Sequence, residues 1–475
     1  MSNKSLHELT RRAFLVAAGT GVLATSTGRA QSRGKSPQKP PNVVYLFSDE
    51  HRWHSMSFTE LPKVQTPHMA RLAAEGTQST QCISNYPVCS PYRAMLLTGR
   101  WPYETGIVDN NLPLRTDEVT LGKAFQSAGY RTGYIGKWHL VGTRAEPFGF
   151  DESLIWDKTN VHWDESEFYP ASGNPVTPKG YNATLMTDQA LDFMEANKSK
   201  PFNLVVSWNP PHASFVDPPE EKKALYPQGS LPYRPNWQAT PKASDLTDLS
   251  EETKIFKENS WPHYEGYHAH ISAIDDELGR VLAKLEELGI EDNTILVYTS
   301  DHGSMFGSHG LGGKRQPYEE SIRVPFLIRW PGRVRAKKKM NALFGTIDIM
   351  PTICALAGIG VPQSCRGFDF SGHFLGSGGP NPESQFIMHL RKENASGKQN
   401  HPAPIFRGVR TKRHTYVITD KGKRALYDNR NDPYQMENIV KSRESRRIRE
   451  ACEAMTLAWL NKAADPFVVP KSDLV

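Results

Sequence analysis

In Asn42-Val43-Val44-Tyr45-Leu46-Phe47-Ser48-Asp49-Glu50-His51 an apolar run, bounded by turn residues, leads straight into two carboxylates and an imidazole. A short continuous apolar run with no polar alternation is buried on both faces, which is the pattern of a strand inside a parallel sheet. Three later stretches also read as strands that end in polar residues. Tyr130 to Ile135 leads into Gly136-Lys137-Trp138-His139, Pro201 to Ser207 into Trp208-Asn209-Pro210-Pro211-His212, and Thr294 to Thr299 into Ser300-Asp301-His302-Gly303. Between these runs lie helical segments at about 66–75, Thr120 to Ala128, Ala183 to Ala196 and His268 to Leu288. The last carries an apolar stripe at Ile271, Ile274, Leu278, Val281, Leu282 and Leu285. Val324 to Trp330 reads as a further strand and Thr346 to Ala357 as a helix. Strands alternating with helices predict an α/β fold, a large and mostly parallel sheet sandwiched by helices.

In open α/β sheets ligands bind beyond the C-terminal ends of the strands. The polar clusters Asp49-Glu50, Lys137/His139, His212 and Asp301-His302 all fall there. Each alone reads equally well as a helix cap, a solvated lysine or a hydrogen-bonded structural histidine; their common placement predicts one site. Asp49, Glu50, Asp301 and His302 supply three carboxylates and an imidazole, a donor set suited to Ca²⁺ or Mg²⁺ rather than Zn²⁺. A second element belongs with them. Cys89-Ser90-Pro91-Tyr92-Arg93, continuing to Thr98-Gly99-Arg100, reads as a helix start with Pro91 in the first turn. Cys89 and Arg93 share one face at the helix's positive end, a place to hold an anion.

The chain of 475 residues, 38% hydrophobic and 23% charged, has the composition of a soluble globular protein. Its net charge of +6 is not a nucleic-acid footprint: seven cations and one acid lie in residues 1–40, leaving 50 basic and 50 acidic side chains beyond. The N-terminal excess has another reading. Thr10-Arg11-Arg12-Ala13-Phe14-Leu15, a modest apolar run from Val16 to Ala24, and Gly28-Arg29-Ala30 predict a twin-arginine signal over 1–30, followed by a Ser/Gly/Lys/Pro-rich linker over 31–41. The apolar run is too short for a membrane span. The protein is therefore expected in the periplasm or secreted, with the twin-arginine translocase as a partner. Its five cysteines are scattered and form neither a metal pattern nor a disulfide framework.

Residues 140–182 and 213–262, rich in Trp, Pro and Gly, read as long surface excursions. Residues 42–360 are expected to form the catalytic unit. Beyond about 360 short strands at Phe386 to His389, Ile405 to Arg410, Thr415 to Thr419 and Arg424 to Tyr427, with a charged helix at about 441–462, predict a smaller α+β subdomain with an antiparallel sheet over 361–475.

Cys89-Ser-Pro-Tyr-Arg93 with Leu97-Thr98-Gly99-Arg100 resembles the signature of the type I (formylglycine-dependent) sulfatases of the alkaline-phosphatase-like superfamily. So do Gly136-Lys137-Trp138-His139, Thr299-Ser300-Asp301-His302-Gly303, Gly313-Lys314 and the closing Leu426-Tyr427-Asp428 with Asn431-Asp432-Pro433. The resemblance implies that a cytoplasmic maturation enzyme oxidises Cys89 to formylglycine (3-oxoalanine), whose hydrate attacks the sulfur of a sulfate ester. A covalent sulfo-enzyme forms, and the second hydroxyl then expels sulfate. It implies one divalent cation, Ca²⁺, at Asp49, Glu50, Asp301, His302 and the modified Cys89. Arg93 would orient the nucleophile, His139 would be the base of the elimination, and Lys137, His212 and Lys314 would hold sulfate oxygens. His212 or Lys314 would protonate the leaving oxygen. Two positions depart from the commonest family pattern: Glu50 stands where many members have a second Asp, and His302 where many have Asn, the latter also occurring in phosphonate monoester hydrolases. The expected function is removal of sulfate from a sulfated carbohydrate. The alternatives are a phosphonate or phosphate ester hydrolase of the same superfamily and a non-catalytic binder of sulfated glycans.

Overall fold

The computed structural model describes residues 39–156, 160–164, 166–238, 246, 262–390 and 403–471. The signal expected over 1–30 and most of the linker lie outside the described residues. Those from Lys39 onward belong to one compact unit. Its strands in chain order are β1 (Asn42–Asp49), β2 (Thr77–Ser79), β3 (Cys82–Ile83), β4 (Arg131–Lys137), β5 (Glu152–Trp156), β6 (Phe168–Pro170), β7 (Phe202–Pro211) and β8 (Thr294–Ser300). They continue as β9 (Phe326–Arg329), β10 (Lys338–Met340), β11 (Phe344–Gly345), β12 (Ser384–His389), β13 (Phe406–Thr411), β14 (His414–Thr419) and β15 (Arg424–Asp428).

Nine of them make one sheet in the order β10-β2-β9-β8-β1-β7-β4-β5-β6. Its centre is parallel, with β1 between β7 and β8 and β4 between β7 and β5. Two antiparallel strands make it mostly rather than wholly parallel, as expected: β9 runs against both β8 and β2, and β6 against β5. Strand alternation in β1 explains why a continuous apolar run was required. Val43, Tyr45 and Phe47 face one core with the helices Cys89–Thr98, Leu121–Ser127 and Ile349–Ala357. Val44 and Leu46 face the other, with Pro67–Glu75, Asn182–Asn197 and His263–Glu287.

The stretch 140–182 is not the surface excursion expected of it: β5 and β6 lie within it and extend the sheet at one edge. Its Trp, Pro and Gly content masked a five-residue strand whose Ile155 and Trp156 are wholly buried. Much of 213–262 lies outside the described residues.

The antiparallel sheet β12-β13-β14-β15 forms as the sequence predicts. Ile387, Phe406, Val417 and Tyr427 pack from it onto Ile83, Met305 and Ile322 of the main body. Val409, Ile418 and Leu426, on its other face, lie with Cys452 of the helix Arg446–Lys462.

Two glycines are dictated by this packing. Gly99 ends the Cys89 helix in the left-handed region (φ 63°), where its N–H caps Met95 O at 2.8 Å. Gly136, with φ 103°, lets β4 approach the backbone of Ser207 so closely that any Cβ would collide with it.

Candidate active site

The four strands carrying the polar clusters, β8, β1, β7 and β4, are consecutive in the sheet. That is why clusters separated by up to 250 residues converge. Asp49 is the last residue of β1, and Glu50 follows at φ 75°, turning its side chain off the strand line. The turn is held by Asp301 Oδ1, which accepts from the N–H of Glu50 at 3.0 Å and of His302 at 2.8 Å.

Cys89 is the first residue of a helix whose every side chain from 89 to 98 is buried. Its Sγ lies 3.5 Å from Asp49 Oδ1 and 3.3 Å from His302 Nε2. One turn on, the guanidinium of Arg93 reaches Asp49 at 3.2 Å and Asp301 at 3.6 Å. Its other nitrogen donates to the Lys137 carbonyl and to Ser207 Oγ, each at 2.6 Å, so Arg93 cannot swing. Lys137 Nζ pairs with Asp49 at 2.6 Å and donates to Asn209 Oδ1 at 3.3 Å. Lys314 Nζ lies 2.9 Å from Glu50 and 4.0 Å from Asp49. His139, at φ 56°, is tied to the Cys89 helix because its carbonyl accepts from the Ser90 hydroxyl.

Eight of the ten residues singled out from sequence thus form one network: Cys89, Arg93, Asp49, Glu50, Lys137, Asp301, His302 and Lys314. His212 joins it through Glu50 at 3.7 Å. His139 is adjacent through Ser90. Within this network Glu50 keeps company with Lys314 and His212, whereas Asp49, Cys89, Asp301 and His302 offer four ligand atoms that all lie within 4.8 Å of one another. Asp301 Oδ2 is buried and accepts no hydrogen bond. A buried carboxylate oxygen without a donor is costly, and a hard divalent cation held by Asp49 and Asp301 fits it.

The electrostatics follow from crowding. Burial and the neighbouring Asp49 carboxylate push Asp301 up to about 8. Burial opposes ionisation of Asp49 too, but Lys137, His212, Lys314 and His302 outweigh it and hold Asp49 well below the usual carboxylate range. Burial disfavours charge on His302, yet Asp301 raises it to about 9. Burial pushes the Cys89 thiol up, as does Asp49, and Lys314, Lys137 and His302 reverse this to bring it down to about 7. His212 is held well below its ordinary value by burial and then by Lys314 and Lys137, so its contact with Glu50 is polar rather than ionic.

A thiol brought down to about 7, a fixed guanidinium, two lysines and paired carboxylates thus meet at the sheet's C-terminal edge. The sulfatase family model matches residues 41–359, and the model of the N-sulphoglucosamine sulphohydrolase C-terminal region matches 307–460. The chain belongs to the sulfatase family. Like its relatives it is a sulfuric ester hydrolase. It is 33% identical over 442 residues to the ulvan-active sulfatase of Formosa agariphila, covering 90% of this chain and 82% of that one. It is 28% identical to the N-acetylglucosamine-6-O-sulfatase of Bacteroides thetaiotaomicron, covering 88% and 86%. Among solved structures, one in complex with its substrate D-glucosamine-2-N,6-O-disulfate superposes with a TM-score of 0.80 at 26% identity, covering 90% of this chain and 99% of the other.

Sequence reasoning missed the residues that hold this sulfatase's site residues in place. Ser207 and Tyr134 anchor Arg93. Tyr267 links the site's loop to the long helix, donating to Glu50 O at 2.8 Å and accepting from Arg52 N at 3.0 Å. None has a motif of its own; Ser207 was discoverable only as a polar residue closing an apolar run.

Proposed function

We propose that this sulfatase removes sulfate from a sulfated carbohydrate outside the cytoplasm, using formylglycine formed from Cys89. The observation that carries the reading is the convergence on Cys89 Sγ of Asp49 and His302, with Arg93, Lys137 and Lys314 linked to them. Once oxidised and hydrated, the side chain at 89 supplies an oxygen nucleophile. A divalent cation, Ca²⁺ by donor type, would be held by Asp49, Asp301, His302 and residue 89 and would supply Lewis acidity toward that oxygen and the sulfate. Glu50 would complete the set: with Asp49 and His212 it offers ligand atoms that all lie within 4.8 Å of one another.

The chain's own groups then divide the work. Arg93, locked by five partners, fixes the nucleophile's orientation and spreads positive charge over it. Lys137 and Lys314 hold sulfate oxygens, the ammonium of Lys314 being favoured, against its burial, by Cys89, Glu50 and Asp49 around it. Burial, Lys314 and Lys137 hold His212 toward its neutral form; bound sulfate places negative charge beside it and raises its affinity for the second proton, which it hands to the leaving oxygen. His139 takes the proton when sulfate is expelled. The carbohydrate reading is supported by relatives that bear the names of ulvan, N-acetylglucosamine and N-acetylgalactosamine sulfatases. Export by the twin-arginine translocase, after a cytoplasmic maturation enzyme has acted on the folded chain, is supported by Arg11-Arg12 and the following apolar run.

The test is sulfate release by the matured protein from defined sulfated mono- and oligosaccharides, beside an aryl sulfate, a phosphonate monoester and a phosphate diester. A sugar sulfate is expected to give the highest kcat/KM. Preference for the phosphonate overturns the substrate class, and binding without release overturns catalysis.

A further inference from the structure

Away from the catalytic network, three side chains from three separate elements converge on one point. His162 comes from the segment after β5, Asp217 from the segment after β7, and His270 from the helix His263–Glu287. Asp217 Oδ1 lies 3.0 Å from His162 Nδ1 and 3.4 Å from His270 Nε2. The three offer ligand atoms that all lie within 4.8 Å of one another. Both imidazoles are wholly buried, and the Asp217 side chain is 31% exposed.

We propose that His162, Asp217 and His270 form a second metal site, which binds a zinc-class divalent cation and fastens the two segments to the helix. Spacing supports it. Zinc bonds to nitrogen and oxygen run about 2.0–2.1 Å, so ligands at tetrahedral corners lie about 3.3–3.4 Å apart. The observed separations of 3.0 and 3.4 Å bracket that edge closely. Donor type supports it: two imidazoles and one carboxylate suit zinc, whereas Ca²⁺ takes oxygen ligands. The surroundings support it as well. The Tyr181 hydroxyl contacts His270 Nδ1 at 2.7 Å, the outer hydrogen bond that fixes a ligating histidine's tautomer. The carbonyl of His162 accepts from Asn182 N at 2.7 Å, and that of Asp217 from the Trp163 indole at 2.7 Å, so both ligands sit on pinned backbone. The partial exposure of Asp217 leaves an entry path and room for a water as fourth ligand. Asp217 stands five residues beyond His212, so filling this site steadies the segment that carries a sulfate-contacting residue.

The experiment uses the full chain, stripped by chelator and then saturated with Ca²⁺ to occupy the catalytic centre. Zn²⁺ is titrated by calorimetry, and Co²⁺ by absorption spectroscopy. One equivalent is expected to bind, with the Co²⁺ bands of a nitrogen/oxygen site and no thiolate charge-transfer band; such a band would mark binding at Cys89. Asp217→Asn is expected to abolish binding, and Tyr181→Phe to weaken it by roughly 10- to 100-fold, the usual effect of losing an outer partner. Zn²⁺ is expected to raise the thermal midpoint of the wild type and leave that of Asp217→Asn unmoved. If the wild type in Ca²⁺ takes up no Zn²⁺ or Co²⁺, or shows only the thiolate spectrum, the proposal is overturned, whether or not the variants fold.

Discussion

At the scale of single residues the site is a set of like and unlike charges forced together in the protein interior. Arg93 is the clearest case. It is buried against Asp49 and Asp301, and removing one partner of a buried pair leaves the others uncompensated. Arg93→Ala is expected to lower unfolding free energy by about 3–5 kcal/mol, measured by denaturant titration. Cys89→Ala removes the nucleophile without opening a charged hole. It is expected to leave the fold intact and cut kcat by about 10⁴-fold or more, in line with loss of a nucleophile elsewhere. The pH dependence of stability follows from Asp301 and His302. Asp301 is raised from an ordinary carboxylate value to about 8, so the folded state holds a proton the unfolded chain releases, and stability falls as pH rises from about 4 toward 8. His302 is raised to about 9, so its contribution is fully present below about 6.5 and is lost as pH rises through about 9. In metal-free protein whose residue 89 is oxidised, so that no thiol titrates there, thermal stability is therefore expected to fall between pH 6 and 9. Added Ca²⁺, which replaces those protons, is expected to stabilise more at pH 9 than at pH 6. Equal calcium stabilisation across that range would contradict the assignment of Asp301 and His302 to the cation.

At the scale of elements, the strand ends did most of the placing. Asp49, Lys137, His212 and Asp301 were legible because each stands at or just past the end of a stretch that reads as a buried strand, where open α/β sheets gather their ligand-binding residues. Cys89 was legible from Pro91 and the helix formers behind it. What remained hidden had a common cause: it depended on neighbours remote in sequence. The pairing of Glu50 with Lys314 and His212 needs the fold, as does the anchoring of Arg93 by Ser207. β5 and β6 were hidden for a different reason. Short strands among Trp, Pro and Gly lack a periodic signal, and tertiary burial of Ile155 and Trp156 decided their state. Gly136 gives this scale its test. A methyl there meets the Ser207 backbone and faces a positive φ, so Gly136→Ala is expected to cost about 1–3 kcal/mol of stability. Because Lys137 and His139 follow directly, it is also expected to lower kcat/KM for the sulfated substrate. Chemical denaturation and steady-state kinetics check the pair together.

At the scale of the whole molecule, order in the sheet explains function better than order in the chain. β8, β1, β7 and β4 lie side by side, and the helix Cys89–Thr98 packs beneath them with its N-terminus at their C-terminal edge. The antiparallel sheet β12–β15 closes over Met305, Leu311 and Tyr318, in the segment that delivers Lys314. Family matches that run from 41 to 359 and from 307 to 460 overlap on that segment.

The central claim is that Cys89 works in an oxidised form. Trypsin releases it in the peptide Leu72–Arg93, which also carries Cys82, a buried cysteine outside the motif. The direct measurement is the mass spectrum of that peptide, alkylated after denaturation, from protein co-produced with an aldehyde-forming maturation enzyme and shown to release sulfate. The expected result is an aldehyde at 89 and an alkylated thiol at 82. An alkylated thiol at both positions, in protein that turns over a sulfate ester, would contradict it.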